Sequence, residues 1–198
     1  MTLWVKICGL TTEAGVSAAT QAGADAIGFV FAPSKRRVTA HEAARLARGV
    51  SVPRVAVMQH PQQSELDEVW SVFRPDALQT DIDDLAHLRV PAGLQVIPVI
   101  RAGGHLSEPL PPRVLFEGPR SGTGETADWA AAARLARTTQ LVLAGGLSAA
   151  NVAGAIASVR PFGVDVSSGV ESAPGVKDPQ RIHEFVRAAR AAAMGATQ

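Results

Sequence analysis

The amino-acid sequence predicts a (β/α)₈ barrel, from its short apolar runs and the helical segments between them. The runs are rich in Val, Ile and Leu and are bounded by Gly, Pro or Asp. Ala-rich segments of helical periodicity lie in most of the gaps. Strands that alternate with helices in this way form a parallel sheet. The eight predicted strands are Leu3–Cys8, Ala26–Phe31, Arg54–Gln59, Asp76–Thr80, Leu94–Ile100, Arg113–Glu117, Gln140–Ala144 and Gly163–Ser167.

The length of the chain supports one barrel domain that spans residues 1–198. About 200 residues is the lower limit for a TIM barrel. A doubly wound open sheet is the structural alternative, but that fold would use about five or six strands. The segment Arg101–Pro112 is crowded with Gly and Pro, so we expect the fifth helix to be reduced to a loop.

Composition and charge restrict the kinds of partner. The formal net charge of +1 argues against binding to nucleic acid or to an anionic membrane surface. The single cysteine excludes a disulfide framework and a thiolate metal cluster, and it fits a reducing compartment. The sequence shows no signal-peptide pattern and no apolar stretch long enough to cross a bilayer. We therefore expect a cytoplasmic protein that binds a small molecule.

The active site of a TIM barrel lies at the carboxyl ends of its strands. Side chains two residues apart on a strand face the same way, so each predicted strand can be searched for polar groups that point into the barrel. The polar residues predicted to face inward are Lys6, Cys8, Gln79, Asp81, Glu117, Asp165 and Ser167. A thiol and three carboxylates are thus expected at one end of the barrel.

Each of these residues also has a purely structural interpretation. A lone cysteine is more often a small buried hydrophobe than a catalyst. The position of Cys8 at a strand end near Lys6 favours a reactive thiol, because a nearby cation lowers the pKa of a thiol. Glu117 is either a solvated strand-end residue or a catalytic acid. Asp165 either braces loops or approaches the ligand. We interpret Asp81 as a cap of the following helix.

His60 follows the third strand and is interpreted as structural or peripheral.

Two segments have the composition of phosphate-binding loops. Gly145 and Gly146 follow the seventh strand, and the segment 167–169 (Ser-Ser-Gly) follows the eighth. Glycines let backbone amides approach an anion, and barrels often bind phosphate with the loops after these two strands. A third small-residue loop, Ser121–Gly124, follows the sixth strand and either binds a second oxyanion or is simply a flexible connection.

Several motifs together resemble the phosphoribosylanthranilate isomerase family, over nearly the whole chain. The matching segments are Lys6–Thr11, Ala22–Phe31, Ser34–Val38, Gly122–Gly124 with Asp128–Trp129, Leu143–Leu147, Asp165–Glu171 and Pro174–Asp178. The resemblance implies a monomeric or homodimeric (β/α)₈ barrel without cofactor or metal. It also implies an isomerase of tryptophan biosynthesis, which converts phosphoribosylanthranilate to carboxyphenylamino-deoxyribulose phosphate by an Amadori rearrangement.

The resemblance also assigns roles to individual residues. It implies that Cys8 is the general base and that Glu117 stands where the family has its acidic aspartate. Arg36 would hold the anthranilate carboxylate, for which a guanidinium fork is well shaped. The implied substrate-binding residues are Arg36, Gln79, Gly124, Gly145, Gly146, Asp165, Ser167, Ser168 and Gly169.

Two departures from the family leave alternatives open. Glu117 stands where the family has an aspartate. Asp81, two residues after Gln79, stands where the family usually has a histidine. One alternative is a related barrel enzyme that acts on another phosphorylated amino-sugar or on a thiamine-type precursor. The other is a non-catalytic phosphometabolite binder derived from an enzyme.

Overall fold

A closed barrel of eight parallel strands forms the core of the protein, as predicted. The structure is a computed structural model, and it describes residues 3–103, 109–118 and 127–195. Each strand pairs with its neighbours in sequence, and the first pairs with the last. The strands are β1 Trp4–Cys8, β2 Ala26–Val30, β3 Arg54–Val57, β4 Ala77–Asp81, β5 Gln95–Arg101, β6 Arg113–Glu117, β7 Gln140–Leu143 and β8 Gly163–Val166.

The predicted strand periodicity separates an inner layer of side chains from an outer one. The inner apolar layer consists of Ala26, Val55, Ala77, Ile97, Val99, Leu115, Val142 and Ala144. The alternate residues of the strands, such as Ile7, Ile27 and Phe116, are buried in the larger core between the sheet and the helices. At the carboxyl ends of the strands the inward positions become polar, so the inner layer supports the site from below.

Six α-helices lie outside the sheet within the described residues. Two of these helices begin at capping side chains. Thr39 and Glu42 form a capping box, and the carboxylate of Asp178 accepts hydrogen bonds from the amides of Gln180 and Arg181. The helices are α1 Glu13–Gln21, α2 Ala40–Leu46, α3 Gln63–Val72, α4 Trp129–Leu135, α5 Val152–Val159 and α6 Pro179–Gly195. None of these helices combines enough length with enough hydrophobicity to span a bilayer.

Three of the connections are irregular. After β4 the chain forms only the 3₁₀ helix Ile82–Ala86. Between β5 and β6, the described residues 102–103 and 109–112 contain no helix, and residues 104–108 lie outside the described part of the chain. After β8, the 3₁₀ helix Ser168–Val170 and the strands β9 Glu171–Ala173 and β10 Val176–Lys177 precede α6. All three connections begin at the end of the barrel where the polar residues gather.

The closure of the barrel between β1 and β8 generates a stability prediction. A Cβ atom at Gly163 would lie 2.6 Å from the carbonyl oxygen of Trp4, its register partner. We expect Gly163→Ala to lower the free energy of unfolding in urea by about 1–3 kcal/mol, because the strands must separate. Gly195→Ala is the matched control, since no atom lies within 4 Å of its new methyl group. Equal stability of the two variants would contradict this account.

Candidate active site

A cavity of about 690 Å³ lies at the carboxyl ends of the strands. It is lined by residues from β1 to β6, β8 and β9 and from the loops that follow β2, β3 and β8. Its polar lining includes Cys8, Arg36, Gln79, Arg101, Glu117, Asp165, Ser167, Ser168 and Glu171. The structure therefore brings both predicted catalytic residues and five of the predicted binding residues to one cavity.

Lys6 occupies the floor of this region, and its side chain is fully buried. Its ammonium group donates hydrogen bonds to Gln79 Oε1 at 2.9 Å and to Asp165 Oδ1 at 2.8 Å. Burial alone would lower the pKa of Lys6, but the adjacent Asp165 carboxylate raises it above its ordinary value. Lys6 therefore stays charged and fixes side chains from β4 and β8 beneath the cavity.

Cys8 is the last residue of β1 and is 6% exposed. Burial raises the pKa of its thiol, and the ammonium groups of Lys6 and Lys177 lower it only in part. The prediction that a nearby cation gives this thiol a low pKa is therefore wrong in its net direction. Desolvation of the thiolate outweighs the attraction of the cations, and Asp165 adds further repulsion.

Arg36 lies in the loop after β2 and forms a fork with Glu171. Its Nε and Nη2 atoms donate to the two carboxylate oxygens of Glu171 at 2.6 and 2.9 Å. The ammonium group of Lys177 also donates to Glu171, at 2.7 Å. Burial would raise the pKa of Glu171, but the hydrogen bonds from these two cations lower it to about 2. The carboxylate thus holds Arg36 at the wall of the cavity.

The two predicted phosphate loops are in direct contact. A Cβ atom at Gly169 would lie 1.9 Å from the carbonyl oxygen of Leu147, so only glycine lets the loops after β7 and β8 approach this closely. Gly145 and Gly146 both have positive φ, at 89° and 63°. Lys177 donates to the carbonyl and hydroxyl oxygens of Ser167, at 2.9 and 3.1 Å. The two loops are thus held together by a close backbone contact. Ser167 and Ser168 line the cavity, whereas Gly145, Gly146 and Gly169 are not among its lining residues.

Glu117 ends β6 and faces the cavity, where Arg101 of β5 contacts it. Arg101 Nη1 lies 2.6 Å from Glu117 Oε1, and Arg101 Nη2 lies 2.7 Å from Asp81 Oδ1. The interpretation of Asp81 as a helix cap is wrong. Asp81 precedes the 3₁₀ helix, but its side chain makes no capping hydrogen bond and turns to Arg101 instead. An ion pair with a partly buried guanidinium replaces the cap.

Within the described residues, one group of side chains has the donors of a possible metal site. His60, Asp81 and Asp84 place one ligand atom each within 4.8 Å of one another. The Nδ1 atom of His60 lies 2.7 Å from Asp84 Oδ1, and Thr80 donates to Asp84 Oδ2 at 2.5 Å. Hydrogen bonding to Asp84 raises the pKa of His60. These bonds and the ion pair to Arg101 already engage most of the oxygens, so the group is a hydrogen-bonded cluster.

Sequence reasoning missed Arg101, Glu171 and Lys177 as parts of the site. Arg101 was detectable, because it lies two residues after the inward-facing Val99 on the same strand. Glu171 and Lys177 belong to the hairpin of β9 and β10. No periodicity in the sequence indicates that this hairpin lies beside the cavity. Gly124, predicted to bind substrate, and the loop that contains it lie outside the described residues.

The barrel and the polar cavity at its strand ends are those of a (β/α)₈-barrel enzyme. The sequence model of the family PRAI, N-(5'phosphoribosyl)anthranilate (PRA) isomerase, matches residues 5–188. An N-(5'-phosphoribosyl)anthranilate isomerase of Roseiflexus sp. (strain RS-1) is 42% identical in an alignment that covers 96% of this chain and 98% of the relative. The chain therefore belongs to the N-(5'-phosphoribosyl)anthranilate isomerase family, whose members serve tryptophan biosynthesis, and the predicted family is confirmed.

Solved structures agree with this assignment. The phosphoribosylanthranilate isomerase of Thermus thermophilus superposes with a TM-score of 0.82 at 30% identity, covering 97% of this chain and all of that one. A phosphoribosylanthranilate isomerase in complex with reduced 1-(o-carboxyphenylamino)-1-deoxyribulose 5-phosphate has a TM-score of 0.79 at 30% identity. It covers 96% of this chain and 99% of that one.

The depressed pKa of Glu171 predicts a loss of stability in acid. A carboxyl group whose pKa is lowered in the folded state stabilises that state above its unfolded pKa, near 4.3, and the contribution is lost as the pH falls to about 2. Between pH 5 and pH 2 we expect the wild type to lose about 3 kcal/mol more unfolding free energy than Glu171→Gln, measured in urea.

The exposed Glu13 pairs with Arg45 and supplies the control variant. Glu13→Gln should retain the acid sensitivity of the wild type, since exposed ion pairs contribute less than about 1 kcal/mol. Equal acid sensitivity of the wild type and Glu171→Gln would refute the buried ion triad.

Proposed function

We propose that the isomerase reaction of the family is carried out in this chain by Glu117 as general acid and Cys8 as general base. The observation that carries the proposal is the shared cavity, which both side chains line from different strands. An aldose-to-ketose rearrangement needs an acid and a base that act on neighbouring atoms of one substrate. A thiol on β1 and a carboxyl on β6 meet this requirement.

The proposed reaction begins with proton transfer from Glu117 to the furanose ring oxygen. The ring opens, and the lone pair of the substrate nitrogen forms a protonated Schiff base at C1. The cationic Schiff base favours loss of the Cys8 proton to solvent, and the resulting thiolate removes the proton from C2. The electron pair of that C–H bond flows into the Schiff base. The enolamine so formed tautomerises to the ketose product. The nitrogen of the substrate accepts the electrons, so the residues of the chain need only move protons.

The two anionic ends of the substrate have separate partners in this proposal. The fork of Arg36 to Glu171 uses Nε and Nη2, so Nη1 and the second Nη2 hydrogen remain as donors for the anthranilate carboxylate. The joined loops at Gly145–Gly146 and 167–169 would hold the phosphate, with Gln79 and Asp165 near the sugar. The ligand of the solved relative carries both a carboxyl group and a phosphate, which supports this division.

Three further predictions belong to the same proposal. We expect the enzyme to work in the cytoplasm, where its single cysteine stays reduced. We expect a monomer or a homodimer. We also expect turnover without an added cofactor or metal, which is checked by assaying enzyme treated with a chelator.

The assignment of Cys8 predicts a separation of binding from turnover. Cys8→Ala should lower kcat at least a hundredfold, because a positioned base contributes about 10²–10⁴ in rate. The affinity for the reduced product analogue, measured by calorimetry, should change little. Near-normal turnover in this variant would remove Cys8 from the mechanism.

The assignment of Glu117 predicts different outcomes for two substitutions. Steady-state turnover is measured with phosphoribosylanthranilate generated in situ. Glu117→Gln should be inactive because an amide cannot donate the required proton, whereas Glu117→Asp should retain turnover, reduced by the shift of the carboxyl group by about one methylene. An inactive wild type, with activity restored by Glu117→Asp, would show that the chain has drifted to another ligand.

A further inference from the structure

Arg101 links the cavity-lining carboxylate of Glu117 to the buried carboxylate of Asp81, and the two come from the strands on either side of Arg101. The register of the barrel places Arg101 of β5 directly opposite Glu117 of β6, and Val99, two residues earlier, opposite Asp81 of β4. The guanidinium therefore lies over both neighbours and contacts each carboxylate within 2.7 Å. The side chains are 22%, 14% and 9% exposed for Arg101, Glu117 and Asp81, so water screens these contacts weakly.

Asp81 has few other partners that could hold its charge. Its Oδ2 atom is buried and has no hydrogen-bond partner within the described residues. Apart from Arg101, the basic group nearest to this carboxylate is His60. Its Nε2 atom lies 3.7 Å from Asp81 Oδ2, and its side chain is 68% exposed. The Nδ1 atom of His60 is engaged by Asp84. The charge of Asp81 is thus directed chiefly at Arg101.

This arrangement has a consequence for a carboxyl group that must donate a proton. A guanidinium in contact with one carboxyl group favours its ionised form. This stabilises the carboxylate that remains after proton donation, but it also makes the protonated acid less stable before the reaction. When a second carboxylate shares the same guanidinium, the charge felt by the first is reduced.

We propose that Arg101 is a positioning residue for Glu117 and that Asp81, by sharing its guanidinium, keeps Glu117 able to hold a proton at the working pH. The proposal rests on the acid role of Glu117. It explains why a partly buried acid and a partly buried guanidinium are in contact: Arg101 orients the carboxyl group and stabilises the carboxylate formed when the proton leaves. Neither Arg101 nor Asp81 transfers a proton in this proposal.

The titration of the Glu117 carboxyl tests the proposal without recourse to turnover. Carbon-13 NMR of the side-chain carboxyl groups is recorded against pH, and the Glu117 signal is identified by its absence from Glu117→Gln. Asp81→Asn should move the titration midpoint of Glu117 down by about one pH unit, because Arg101 is then no longer shared with the carboxylate of Asp81. Arg101→Gln should move the midpoint up. Asp83→Asn is the matched control, since Asp83 is exposed on the next turn of the chain and should leave the midpoint unchanged.

The double variant separates sharing of Arg101 from simple repulsion by Asp81. In an Arg101→Gln background, Asp81→Asn should shift the Glu117 midpoint by less than a third of its effect in the wild type. An undiminished shift would show that Asp81 acts directly and would overturn the proposal, as would an unchanged midpoint in both Asp81→Asn and Arg101→Gln. The opposite sign expected for Arg101→Gln keeps the test decisive if Asp81→Asn does not fold.

Kinetics connect the titration to the reaction. In Asp81→Asn, one limb of the pH profile of kcat should move to lower pH by the same amount as the carboxyl titration, while KM changes less than kcat. A profile that does not move, despite a shifted carboxyl, would overturn the link to catalysis. If Glu117→Gln retains turnover, the acid assignment fails whatever the titration shows, so the two failures are distinguishable.

Discussion

The buried ammonium group of Lys6 is the constraint on which the organisation of the active site depends. A charge inside a barrel is tolerated only when charged and polar partners surround it. Asp165 and Gln79 supply those partners from β8 and β4, and Lys6 is the register partner of Asp165. The ion pair between Lys6 and Asp165 therefore forms when the barrel closes between β1 and β8. Only in the closed barrel do residues from these first and last strands lie in one site.

Above this floor, the charges of the cavity form two separate groups. On one side Glu171 joins Arg36 to Lys177, and on the other Arg101 joins Asp81 to Glu117. In each group a central charge is shared by two opposite ones. Both groups hold their side chains in place, but only the group of Glu171 has more cations than carboxylates, so part of the attraction of Arg36 and Lys177 remains for an anionic ligand. The near-neutral chain can therefore bind an anionic substrate through a few local groups rather than through its overall field.

The strands and the inward-facing residues were predictable because both follow from a period of two. That period alone placed Lys6, Cys8 and Glu117 inside the barrel, and it would have placed Arg101 there as well. It could not predict partners, because a sequence pattern fixes the direction of a side chain but not the choice between nearby charges. The incorrect interpretation of Asp81 has this origin, since capping and pairing with Arg101 require the same residue type.

The thiol of Cys8 shows a second limit of sequence reasoning. The sequence places Lys6 two residues from Cys8, but it does not show how deeply the thiol is buried. Burial of Cys8 outweighs Lys6, so the thiol is favoured over the thiolate before reaction. In the proposed mechanism this order of effects is useful. Ring opening by Glu117 creates a positive Schiff base next to C2, and this new cation favours ionisation of the neighbouring thiol, whose proton passes to solvent. The acid step thus prepares the base step, and a thiol that remains neutral until then adds no buried charge to a site whose other charges are already paired.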